Sequence, residues 1–151
     1  MKRAMRKQFI IEDLDESRDI QKAYDKQDYF DAVMKCRIYL ECWLVEYIFT
    51  ILYPLDEEVN KANKQIVLKQ FNDMFYQIQW LYRGSHISKN DYNNLRKIRS
   101  LCDKIFAAGD VFRVVNPTQL NRLIYSAVHY CNKCKNKAMK TISRTIAKQS
   151  A

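Results

Sequence analysis

Residues 28–53 read DYFDAVMKCRIYLECWLVEYIFTILY, and this stretch decides the fold class. Its apolar positions Phe30, Val33, Met34, Ile38, Leu40, Trp43, Leu44, Tyr47, Ile48, Ile51 and Leu52 recur mostly at spacings of three and four. On a helix of about 3.6 residues per turn they fall in one broad stripe. A helix with so wide an apolar face is central to its bundle. It stops at Pro54, which cannot continue the backbone ladder. Glu41 and Glu46 interrupt the apolar run from Ile38 to Tyr53. That run is shorter than the ~20 apolar residues a membrane span needs. The segment reads as a core helix, with no membrane association.

Working outward, Asp15 or Ser17 is placed to cap a short first helix ending near Asp25. Downstream of Pro54, a third helix starts near Asp56, with Glu57 and Glu58 where the helix dipole favours carboxylates. Its buried face is Ile66, Val67, Phe71, Met74, Phe75, Ile78 and Leu81, and Gly84 lies just past its end. Ser88 caps a fourth helix, with Asp91 three residues on as a capping-box partner. Leu95, Ile98, Cys102 and Ile105 form its stripe, and Gly109 closes it. Asn116-Pro117-Thr118-Gln119 is the strongest start signal: a cap, Pro at the first helical position and Gln at the third. The fifth helix carries Leu120, Leu123, Ile124, Ala127, Val128 and Cys131 inward and runs to about Ile146. Between them, residues 110–115 (DVFRVV) are apolar and β-branched, suited to cover a bundle end or to form an interface.

Composition agrees. A chain of 151 residues with 48% hydrophobic and 28% charged residues can bury one core. Two Gly and two Pro cannot supply the tight turns of a β-sandwich or a Rossmann-type sheet. The expectation is a single all-α domain over residues 1–151, an up-and-down bundle of about five helices, with basic, mobile ends at about 1–12 and 144–151. The five cysteines, Cys36, Cys42, Cys102, Cys131 and Cys134, are odd in number, and three lie in apolar helical patterns. They read as reduced thiols in a cytoplasmic protein, mostly filling the core. No apolar segment of signal-peptide type follows the basic start.

The net charge of +9 is unevenly placed. From residue 113 onward there is no Asp or Glu, while Arg113, Arg122, Lys133, Lys135, Lys137, Lys140, Arg144 and Lys148 are basic. Such an end attracts RNA or an acidic protein partner by counterion release and steering. A solvated helix face with a basic tail would look the same in sequence.

Chemistry is sparse. His129, Cys131 and Cys134 form H-x-C-x-x-C, but no second ligand pair lies at useful spacing, with His86 and Cys102 only loosely placed. Zinc asks for four ligands, so no metal or other cofactor is expected. The two histidines are His86, in a loop, and His129, in the last helix. No nucleophile elbow, P-loop or paired-carboxylate pattern is present. Arg96, Arg99 and Asp103 lie on the fourth helix, where Arg99 borders the buried stripe and pairs with Asp103 four residues on.

Two patterns carry a family resemblance. Ala32, Arg37, Leu40 and Glu41 fit an "A…R..LE" pattern on the long early helix. Leu95, Ile98 and Arg99 fit the start of "L..IR..GN.AAHG" on a later one. Over about residues 28–140 the chain resembles the HEPN superfamily of helical bundles, in its uncharacterised bacterial branch. Cys102 and Asp103 stand where that motif has Gly-Asn, and Ala107 stands where it has His. The resemblance implies a dimer, and a family in which an Arg and a His cut RNA without metal by attack of the 2′-OH. Ala107 cannot move that proton. The sequence therefore points to a HEPN-like module without catalytic residues that binds a protein or RNA partner. The residues expected to carry binding are Arg96, Arg99, Asp103, Arg122, Lys133, Lys135, Lys137, Lys140 and Arg144. Two alternatives stand beside it. One is a ribonuclease with a displaced catalytic group, in which His86 or His129 approaches Arg99. The other is a small phage or mobile-element regulator docking on a larger complex.

Overall fold

A computed structural model describes residues 14–53 and 65–150. The helices are α1 (Leu14–Asp25), α2 (Tyr29–Leu52), α3 (Met74–Arg83), α4 (Lys89–Ala108) and α5 (Pro117–Ser150). A helical stretch over 65–70 precedes α3, and a 3-10 turn (Val111–Arg113) precedes α5. Among the described residues there is no strand, and no helix is long and apolar enough to cross a membrane. The fold is an all-α bundle.

The helix boundaries follow local chemistry. The Asp28 side chain accepts from the Asp31 N–H at the start of α2, and Ser88 Oγ accepts from the Asp91 N–H at the start of α4. Asn116 and Gln119 form a reciprocal box. Asn116 Oδ1 accepts from the Gln119 N–H at 2.8 Å, and Gln119 Oε1 accepts from the Asn116 N–H at 2.9 Å. Gly109 ends α4 with φ 69°, the left-handed region that glycine tolerates best. Helix α5 then runs to Ser150, past the expected end near Ile146.

Several expectations are corrected. Helix α1 already includes Asp15 and Ser17, so neither caps it. Pro54 and the start signal at Asp56, Glu57 and Glu58 lie outside the described residues. The expected single third helix is broken: the 65–70 stretch ends, and Asp73 recaps the chain by accepting from the Phe75 N–H. An Asp that bonds the backbone competes with helix continuation. Gly84 caps α3 as expected, yet its φ is −81°, and Ser85 takes the left-handed turn at φ 60°. Asp91 closes no reciprocal box, because its side chain is committed to α5 (below).

Helix α2 packs against α1, α3, α4 and α5, as the central helix should. Side-chain partners give the directions. Phe30 meets Phe106, and Arg37 meets Asp103, so α2 and α4 are antiparallel. Trp43 lies under Lys135 and Tyr47 under Lys137, so α2 and α5 run parallel. Gln79 bonds Tyr92 and Phe75 lies under Arg99, which sets α3 antiparallel to α4. Alternation thus holds from α1 to α2, from α3 to α4 and from α4 to α5. Helices α2 and α3 share a direction, and the helical stretch over 65–70 lies between them in the chain.

The core is built from Leu40, Leu44 and Ile48 of α2, Ile78 and Leu81 of α3, Leu95 and Ile105 of α4, and Leu120 and Ile124 of α5. Tyr24 of α1 ties the layers by donating from its buried hydroxyl to Asn121 Oδ1, at 2.6 Å. Val111 and Val115 bury the 110–115 segment against the bundle end, while Phe112 is exposed and meets the edge of Tyr29. Met34, Ile38, Leu52, Ile66 and Phe75, expected inside, are exposed. A stripe read from spacing is wider than the face that finds partners.

Candidate functional site

Helices α4 and α5 line a groove of about 650 Å³. Its wall from α4 carries Asn90, Asp91, Asn94 and Lys97, and its wall from α5 carries Arg122, Tyr125, His129 and Lys133. The lining holds three cations, Lys97, Arg122 and Lys133, against one carboxylate, Asp91.

That carboxylate is already engaged. Asp91 is 5% exposed and accepts from Lys133 Nζ at 2.9 Å and from the Tyr130 hydroxyl at 3.1 Å. Asn94 in turn donates to the Tyr130 oxygen at 2.9 Å. Burial opposes the charged form of Asp91, but the hydrogen bonds from Lys133 and Tyr130, with the field of Lys133 and Lys137, outweigh it. The carboxyl is held below its usual range. Burial pushes the Tyr130 hydroxyl up, so it stays a neutral donor. The network closes the inner wall of the groove, and Lys97, Arg122, Tyr125 and His129 face outward as exposed residues.

Helix periodicity extends this face. Arg122, His129, Lys133, Lys137, Lys140 and Arg144 fall within about a quarter turn of one another on α5. Lys133 and Lys137 are anchored, Lys133 on Asp91 and Lys137 on the His86 carbonyl at 3.1 Å. Lys140 and Arg144 are exposed further along. Lys135 departs from the row, because it lies over the Trp43 ring at 5.4 Å, toward α2.

The remaining expected residues form a second cluster on the opposite side of α4. Arg96 is exposed over the Tyr92 ring at 5.3 Å. The expected Arg99–Asp103 ion pair is present, but Asp103 is shared: its Oδ1 accepts from Arg37 Nη1, and Arg37 Nε donates to Glu41 at 2.9 Å. Arg99 Nη2 stays 3.7 Å from Asp103 and its Nε 3.9 Å from Asp73, while the guanidinium lies over Phe75 at 5.0 Å. The Arg99 Nε–H has no hydrogen-bond acceptor. Arg37 reaches Asp103 before Arg99 does because α2 and α4 cross there, which no spacing within α4 reveals.

Neither histidine is among the groups that meet Arg99. His86 stacks on Trp80 beyond the far end of α3, with centroids 5.3 Å apart. His129 lies in the α4–α5 groove. Ala107 is exposed on α4. The H-x-C-x-x-C residues are also divided, with His129 exposed and Cys131 and Cys134 in the core. Burial pushes the Cys134 and Cys102 thiols up to about 12, and the Cys36 thiol is raised as well. Among the described residues no group of three or more His, Cys, Asp or Glu is placed to hold a metal ion.

Sequence reading missed Lys97, Asn94, Tyr130 and the role of Asp91. The long-range partners have no signature in the chain, although an Asp at the third position of α4 was visible. No family profile, curated protein or solved structure matches the chain.

Proposed function

We propose that this chain is a HEPN-like helical module without catalytic residues that binds single-stranded RNA in the α4–α5 groove and along the basic face of α5. The supporting observation is the charge arrangement. The single groove carboxylate is neutralised by Lys133, which leaves Lys97 and Arg122 facing an open channel. Tyr125 is 44% exposed on the same wall, a surface on which a base can stack. Ala107, at the position where the resembled family has His, and the separation of His86 and His129 from Arg99 support binding without cutting.

A filter-binding salt titration with generic single-stranded RNA tests the reading. Affinity falls steeply with salt, and the joint Lys97→Ala/Arg122→Ala variant lowers the log–log slope by about 1.4, at ~0.7 per phosphate contact. No binding at low salt overturns it. Labelled RNA stays intact on incubation, whereas cleavage abolished by Arg99→Ala would favour the ribonuclease alternative. A protein partner has one observation in its favour: exposed Ile38 and Leu68 beside a groove of about 350 Å³ on α2.

A further inference from the structure

The outer face of α3 carries a second pocket, of about 440 Å³. Its walls include Phe71, Tyr76 and Trp80, with Gln79 and Arg83 at the rim. Phe71 meets Trp80 edge-on, with centroids 5.7 Å apart and planes at 70°. The other wall of the stack is built by the turn after α3. Gly84 N–H donates to the Trp80 carbonyl and His86 N–H to the Leu81 carbonyl, which folds the His86 ring back against Trp80 at an interplanar angle of 14°. A Cβ on Gly84 would stand 2.6 Å from His86 Cδ2, so glycine is what lets the imidazole lie there. The stack is thus fixed before any ligand arrives.

The chemistry of the pocket is selective. Tyr76 is 57% exposed and Arg83 is exposed, and no carboxylate is among the described lining residues. Flat aromatic walls take a planar ring, a glutamine amide offers a donor and an acceptor to a base edge, and a guanidinium takes a phosphate. A quaternary ammonium would suit the rings but not Arg83. The exposed surface of α4 also carries the cations Lys89, Arg96, Lys97 and Lys104.

We infer that the Phe71–Tyr76–Trp80–Arg83 pocket is a subsite for one unpaired nucleotide of the bound RNA, its base held by the rings and its phosphate by Arg83. The inference rests on the RNA reading and adds to it the place where a base, rather than the backbone, is held.

The test uses the full chain carrying Trp43→Phe, which leaves Trp80 as the single tryptophan reporter. It is titrated with hexa-adenylate and with an abasic hexamer of equal charge. The expected result is that hexa-adenylate quenches Trp80 and binds at least about tenfold tighter than the abasic chain. Tyr76→Ala, at an exposed position, removes that preference but keeps the salt-dependent component, with helicity by circular dichroism unchanged. Equal binding of the two oligomers, or a preference untouched by both Tyr76→Ala and Arg83→Ala, overturns the subsite while RNA binding stands. If neither oligomer binds at low salt, the RNA reading itself fails and the subsite with it.

Discussion

Replacing Lys133 by Met keeps most of the aliphatic stem but strands a carboxylate in the wall of the groove. Asp91 has a side chain only 7% exposed, while that of Lys133 is 39% exposed. Breaking a fully buried pair costs about 3–5 kcal/mol, and an exposed pair contributes up to about 1 kcal/mol. One buried and one partly solvated partner place Lys133→Met between these limits, at about 2 kcal/mol. Asp91→Asn removes the charge but retains an acceptor for the Tyr130 hydroxyl, so it costs about 1 kcal/mol. The double variant leaves no stranded charge, and a urea-unfolding cycle should return a coupling of about 1–2 kcal/mol. The pH dependence has a definite sign. Because the folded carboxyl is held below its unfolded value, its contribution is full above about pH 4. It is lost as pH falls through the folded pKa, and Asp91→Asn flattens that acid limb. A coupling within error of zero, together with an unchanged acid limb, would refute the claim that this pair closes the groove wall.

Two further outcomes follow from the same reasoning. Asn116→Ala breaks the reciprocal box at the head of α5 and costs about 1 kcal/mol, seen as a lowered midpoint in chemical denaturation. Tyr24→Phe leaves buried Asn121 without its donor and lowers stability by about 1–2 kcal/mol. Burial holds the phenol at about 12, so the variant loses one late-titrating tyrosine from the ultraviolet absorbance profile while Tyr130, also raised by burial, keeps its own.

What the sequence determined was local. The Asn116–Gln119 box, the Ser88 cap, the left-handed Gly109 and the stripes of α4 and α5 are set by residues within four positions of one another, where hydrogen bonds and periodicity act directly. The charge of α5 was equally legible, since the absence of acids after residue 113 is a property of the chain alone. The tertiary structure decided everything that joins distant residues. Spacing made Asp91 a cap partner, but α5 supplied Lys133 and Tyr130, and two hydrogen bonds outcompeted the local one. Spacing paired Arg99 with Asp103, but the crossing of α2 and α4 brought Arg37 nearer. Lys135 and Lys137 read as equal members of a basic run. Packing turned the first toward Trp43 and set the second beside the His86 carbonyl, because a helix in a bundle divides neighbouring residues between opposite faces.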